Sequence, residues 1–127
     1  MEEHNTIMLS DSERRLMELL WKKGDRPARL LAEEMERSLG WNVNATYTLI
    51  KRCIRKGAVE RREPGFVCHA LVSWESVRQV ETEKLLDRVF DGSVDLLFST
   101  LVGSGRLSGR ELERLRRRLE ELEQEDS

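Results

Sequence analysis

Three observations predict a mainly α-helical fold with one small β-hairpin for this chain of 127 residues. Six stretches read as helices, five with apolar side chains at three- and four-residue steps and one short and apolar, three ending by residue 57 and three beginning after residue 73. Glycines at 24, 40 and 57 stand where the first three patterns stop. Between the two groups, the short runs AVERRE and FVCHALV flank Pro64-Gly65 and read as paired strands.

The first helix opens on LSDSERRLMELLWKKG, where Ser10 and Glu13 have the spacing of a capping box. Leu16, Met17, Leu19 and Leu20 make its apolar stripe, extended by Trp21, and Lys22-Lys23 suit the negative helix end before Gly24. In DRPARLLAEEMERSLG, Pro27 fits a first-turn position and Leu31, Met35 and Leu39 recur every four residues up to Gly40. The short link Gly40-Trp41-Asn42 leads into NATYTLIKRCIRKG. On a helix, Thr46, Leu49, Ile50, Cys53 and Ile54 share one side, while Asn44, Thr48, Lys51 and Arg55 cluster on the other, flanked by Tyr47 and Arg52. Glu63-Pro64-Gly65-Phe66 then puts proline and glycine at the central positions of a type II turn.

The remaining pattern is helical. WESVRQVETEKLLDRVF supplies Val77, Val80, Leu85, Leu86 and Val89 as an apolar set, and Asp91-Gly92-Ser93 interrupts it. VDLLFSTLV, which includes Leu97, is short and apolar, and Gly103-Ser104-Gly105 is a flexible break. Ser108 and Glu111 repeat the capping-box spacing, after which Leu112, Leu115, Leu119 and Leu122 recur in steps of 3, 4 and 3, a seam of coiled-coil type. Three helical pieces of this length are marginal as an independent core, so a second copy of the chain is the expected remedy. The rival reading is a monomer in which the lobe folds back on the first domain. The expected division is 1–73 and 74–127.

Net charge conceals a local concentration. Residues 1–73 carry 13 basic against 11 acidic residues (+2) and residues 74–127 carry 9 against 13 (−4), which sum to −2. Within residues 44–62 six Lys or Arg face only Glu60, giving +5. Three helices, a hairpin and cations gathered on the third helix and the hairpin follow the order of a winged helix-turn-helix, whose third helix enters the DNA major groove. The full fold-class expectation is a winged helix-turn-helix domain followed by a three-helix C-terminal dimerisation lobe.

Over about residues 9–122 the chain resembles the penicillinase-repressor family of bacterial transcription regulators, which includes β-lactamase, methicillin-resistance and copper-responsive repressors. LSDSERRLMELLW, TLIKRCIRKGAVER, LLDRVFDGSVDLL and GRLSGRELERLRRRLEEL carry the resemblance by their order and spacing. It implies a homodimer whose winged helices each read half of an inverted-repeat operator in double-stranded DNA. Leu85, Leu86, Val89, Leu97, Leu112, Leu115, Leu119 and Leu122 are then the dimerisation residues. In the β-lactam branch a membrane-bound sensor metalloprotease leads to cleavage in the dimerisation lobe. The matching bond here is Thr100-Leu101, where the usual Asn-Phe pair is absent. The copper branch's cysteine-rich C-terminal motif is absent too, since residues 120–127 hold no cysteine. Relatives commonly have Thr where Ala45 stands, a basic or small residue at Tyr47, and Tyr at Ala70. An operator different from the family's usual half-site is therefore expected.

On this reading Lys51, Arg52 and Arg55 meet phosphates, while Arg61 and Arg62 anchor the hairpin beside the backbone. Asn44, Tyr47 and Thr48 are the candidates for base edges, through an adenine pair, a ring with a hydroxyl, and a thymine-methyl contact respectively. The rival for Asn44 is a helix N-cap, and for Tyr47 an apolar contact within its own domain. Other function classes are a winged-helix protein-interaction module and a small-ligand-sensing regulator.

Catalysis is disfavoured, because isolated histidines, unpaired cysteines and no glycine-rich phosphate loop leave no nucleophile–base constellation. No cofactor is expected. Cys53 and Cys68 read as reduced structural thiols, and a metal would have to recruit His4, His69 or carboxylates. Cys68 and His69, adjacent in a strand, leave its opposite faces, so no metal site is expected. The start MEEHNTIML lacks the regions of a signal peptide, and no apolar run approaches the ~20 residues of a membrane span. A cytoplasmic protein with no membrane insertion is the expectation.

Overall fold

The computed structural model describes residues 7–126; the N-terminal MEEHNT, including His4, lies outside the described residues. In chain order the elements are α1 (Asp11–Lys23), β1 (Arg26–Pro27), α2 (Ala28–Leu39), α3 (Val43–Lys56), β2 (Val59–Arg62), β3 (Val67–Ala70), α4 (Trp74–Phe90), α5 (Val94–Gly103) and α6 (Gly109–Glu125). The mainly helical class with a small β element read from the sequence is the one observed. Contacts divide the chain into two compact units, Met1–Glu83 and Lys84–Ser127. That division falls inside α4 rather than ahead of it, because Val77, in the first half of the helix, is buried in the core of the first unit.

Local signals account for the helix ends of the first unit. The Ser10–Glu13 capping box forms in both directions, with Ser10 N 2.7 Å from Glu13 Oε1 and Glu13 N 3.2 Å from Ser10 Oγ. The apolar stripe of α1 buries Leu16, Met17 and Leu20 against Leu31 and Met35 of α2 and Leu49, Ile50 and Cys53 of α3. Gly57 takes φ 84°, a left-handed conformation that ends α3 and turns the chain into β2.

The hairpin expected over 58–72 is present, but the sheet has three strands. β3 lies between β2 and the two-residue β1, all antiparallel, with Arg61 opposite Cys68 and Arg26 also opposite Cys68. Pro27 sits one position earlier than expected. It is the N-cap of α2, without a side-chain cap bond, and Ala28 N instead donates to Phe66 O at 2.9 Å. In the wing turn Gly65 has the positive φ that a type II turn requires, Phe66 is positive as well, and the Glu63–Pro64 peptide is cis.

Trp21 secures the exit from the sheet. Its indole N–H donates to Val72 O at 2.8 Å, and its ring lies 4.8 Å from that of Trp74. The second unit is built differently. Ser93 caps α5 through Leu96 N, Ser108 caps α6 through Glu111 N, and none of the unit's described residues is fully buried. No helix among the described residues is long and apolar enough to cross a membrane.

Candidate nucleic-acid interface

The outer face of α3 is prepared by its cap. Asn42 Oδ1 accepts from Asn44 N at 2.8 Å and from Ala45 N at 3.2 Å, satisfying N–H groups that the helix start leaves without an internal partner. The cap is thus Asn42, and Asn44 stands exposed in the first turn. Thr46 is buried, its hydroxyl donating to Asn42 O at 3.1 Å. Thr48 is exposed and donates to Asn44 O at 3.1 Å, which spends its hydroxyl proton inside the helix.

The cations differ in their surroundings. Lys51 and Arg55 are exposed and have no acidic partner among the described residues. Arg52 and Lys56 converge on Glu13, a carboxylate with no solvent exposure. Lys56 Nζ is 2.6 Å from Glu13 Oε1 and 3.0 Å from Met8 O, while Arg52 Nε is 3.7 Å from Glu13 Oε2, an ion-pair rather than a hydrogen-bond distance. Burial pushes the Glu13 pKa up, but the Lys56 bond and the two from Ser10 outweigh it and hold the carboxyl below its usual value.

The wing arginines are paired too. Arg61 Nε binds Glu63 Oε1, and its guanidinium lies 3.8 Å from the Phe66 ring centroid. Arg62 Nε is 2.7 Å from Glu60 Oε1 and its Nη1 is 3.6 Å from Asp25 Oδ2. Asp25 also receives His69 Nδ1 at 2.8 Å. Counting acids along residues 44–62 alone left +5; Glu13, Asp25 and Glu63, each ion-paired with a cation of that segment, reduce it to +2 (5 − 3). Two of these acids come from distant chain segments, so no window on the sequence reveals them.

Tyr47 is half-buried and meets Phe66 edge-on, with ring centroids 6.2 Å apart and an interplanar angle of 67°. The intradomain contact weighed for Tyr47 therefore exists, and it joins α3 to the wing. Cys53 and Cys68 are buried and free, and burial pushes their thiols up to about 12 and about 11. Neither supplies thiolate near neutral pH. Cys68 faces the core, whereas His69 is partly exposed against Asp25.

In the second unit, Leu85, Val89, Leu112, Leu119 and Leu122 are exposed, while Leu86, Leu97 and Leu115 are partly covered. Thr100 and Leu101 lie within α5, where Thr100 Oγ1 donates to Leu96 O at 2.8 Å and Thr100 O accepts from Ser104 N at 3.0 Å.

A three-helix unit with a β wing beside an outward, partly cationic third helix is a winged helix-turn-helix. Its backbone is similar to the solution structure of the DNA binding domain of the repressor BlaI, with a TM-score of 0.52 at 23% identity, covering 57% of this chain and 90% of that one. The model of the Penicillinase repressor family matches residues 9–121, and the chain belongs to that family, which consists of transcriptional repressors and not enzymes. Its relatives include the penicillinase repressor of Bacillus licheniformis, 25% identical over 89% of this chain and 90% of that protein. Methicillin resistance regulatory protein MecI of Staphylococcus aureus (strain N315) is 26% identical over 90% of this chain and 94% of its own length.

Proposed function

We propose that this chain represses transcription by binding an inverted-repeat DNA operator as a homodimer, in the cytoplasm. The observation that carries the reading is the outer face of α3, where Lys51 and Arg55 stand without counter-ions among the described residues beside Asn44, Thr48 and Tyr47. Free cations flanking hydrogen-bonding side chains on one helix suit phosphates on either side of exposed base edges. Arg52, Arg61 and Arg62 join them by exchanging a carboxylate for a phosphate oxygen. The family supports the direction of regulation, since it and its Bacillus licheniformis relative are named as repressors.

Apolar side chains left open in the second unit support the dimer. Leu85, Val89, Leu112, Leu119 and Leu122 lie on two helices of a unit too small to bury them alone. Family resemblance further suggests release by a membrane-bound sensor metalloprotease cutting at Thr100-Leu101. That bond lies inside α5, so cleavage requires the helix to unwind locally. A cut there separates the DNA-binding unit from α6 and its leucine seam.

Selection of bound duplexes from a random pool tests the proposal. The expected product is an inverted repeat whose half-sites are about one helical turn apart. Weak binding without sequence preference would instead favour a protein-interaction module and overturn the operator reading.

A further inference from the structure

Phe66 occupies an unusual backbone position. Its φ of 49° lies in the left-handed region, which a bulky side chain rarely adopts, directly after Gly65 at φ 92°. Such a conformation persists where the surroundings fix it, and here they do so from three sides. Phe66 N donates to Glu63 Oε2 at 3.2 Å within the wing turn. Its carbonyl accepts from Ala28 N at 2.9 Å, at the first residue of α2. Its half-buried ring meets the Tyr47 ring edge-on at 6.2 Å and carries the Arg61 guanidinium at 3.8 Å.

One residue thus ties the wing turn, the start of α2 and the outer face of α3 together. Of the three residues assigned to base edges, Tyr47 has the largest side chain, and its ring meets that of Phe66. A tyrosine on a helix surface without a neighbour samples several rotamers, and ordering it on binding costs affinity for the one base step it fits. A ring already braced against the wing avoids that cost. Arg61 is held by the opposite requirement, since its stacking keeps the cation beside the wing while Glu63 occupies its Nε.

We propose that Phe66 is a positioning residue for sequence readout, bracing Tyr47 in the orientation that meets the DNA so that the wing sets the base preference of α3. The inference rests on the operator-binding reading given above and adds a specificity determinant outside the recognition helix. Phosphate contacts made by Lys51 and Arg55 do not pass through Phe66, so sequence preference and salt-dependent affinity separate.

The test uses the full chain. Wild-type protein first selects duplexes from a random pool, and each base step of the recovered site is then substituted in turn. Phe66→Asn removes the ring while keeping a residue that tolerates positive φ. Its expected effect is a drop of about three- to tenfold in discrimination at the base step also lost in Tyr47→Ala, the size of an edge-to-face aromatic coupling. The slope of log affinity against log salt should change by less than about one unit. Phe66→Tyr, which retains the ring, should restore discrimination, and adding Phe66→Asn to Tyr47→Ala should relax it no further.

A purely structural role predicts something else. Phe66→Asn would then weaken binding to every duplex by the same factor, or Phe66→Tyr would fail to restore the preference, and either result overturns the inference. A wild-type site recovered unchanged by Phe66→Asn defeats the bracing role alone. If the wild-type chain selects no sequence, the operator reading falls and takes this inference with it.

Discussion

Glu13 places a carboxylate out of contact with solvent at the point where α1 meets the end of α3, and its bonds decide what that costs. Lys56 and the Ser10 backbone hold it ionised, with a pKa below its usual 4.5 despite burial. The folded state therefore binds fewer protons than the unfolded chain as pH falls through that window. Its contribution is fully present above about 4.5 and is lost as pH falls through the lowered folded value. Glu13→Gln should destabilise the chain at neutral pH by about 1–2 kcal/mol, screening at the part-exposed Lys56 keeping the figure modest. The variant should also lose less of its remaining stability on acidification. Urea unfolding at neutral and acid pH checks both, and an identical pH dependence in the two proteins would discard the assignment. The same pairing logic separates the cations proposed to face DNA. Lys51→Ala should weaken binding to all sequences and flatten the salt slope by about one unit, whereas Arg62→Ala should flatten it by less. Arg62 must first leave Glu60 and Asp25. Fluorescence anisotropy across a salt series distinguishes the two, and equal slopes would show that the carboxylates do not compete with phosphate. Residue types on the α3 face were legible in the sequence because a helical period sorts them. Their ion partners were not, since Glu13 and Asp25 reach α3 and the wing only through tertiary packing.

Elements held by their own sequence were readable, and those held by a distant partner were not. Five of the six helices carry their own apolar period, and Ser10 and Ser108 mark starts that hydrogen bonds reproduce. The hairpin announced itself through Pro64-Gly65. β1 had no such signal, because two residues, one a proline without an N–H, become a strand only through pairing with β3 some forty positions later. The start of α3 shows the intermediate case. Asn42 and Asn44 are both plausible caps by residue type, and only the geometry selects Asn42. That selection has a measurable consequence for the helix proposed to read DNA. Asn42→Ala should cost about 1 kcal/mol, lowering the unfolding midpoint by about 4–8 °C for a domain of this size. Asn42→Asp keeps a capping oxygen and should retain the midpoint, yet its negative charge beside the recognition face should weaken DNA binding. Thermal unfolding and DNA titration of both variants test this. Loss of stability in Asn42→Asp equal to that of Asn42→Ala would mean that the side-chain oxygen does not support the helix.

At the scale of the whole molecule, the distribution of apolar surface argues for assembly. The first unit buries Leu16, Leu20, Leu31, Leu49, Val77 and Val80 of its helices, whereas the second exposes Leu85, Val89, Leu112, Leu119 and Leu122. Leucine spacing in the sequence announced a seam in need of cover, but nothing in one chain's periodicity fixes what covers it or in what geometry. If the cover is a second copy, affinity for an operator with two half-sites exceeds that for a single half-site through effective concentration, by a factor on the order of 10²–10⁴. Leu115 sits in the middle of the α6 leucines and is partly covered. A carboxylate there would have to be desolvated at the seam, so Leu115→Asp should shift the protein to monomers and remove that factor. Residues Met1–Glu83 form a compact unit of their own, so the proposal requires that binding to a single half-site survive. Sedimentation velocity and titration against paired and single half-sites therefore give a joint test. A Leu115→Asp protein that still sediments as a dimer misplaces the seam. One that becomes monomeric yet keeps full affinity for the paired site removes avidity from the mechanism.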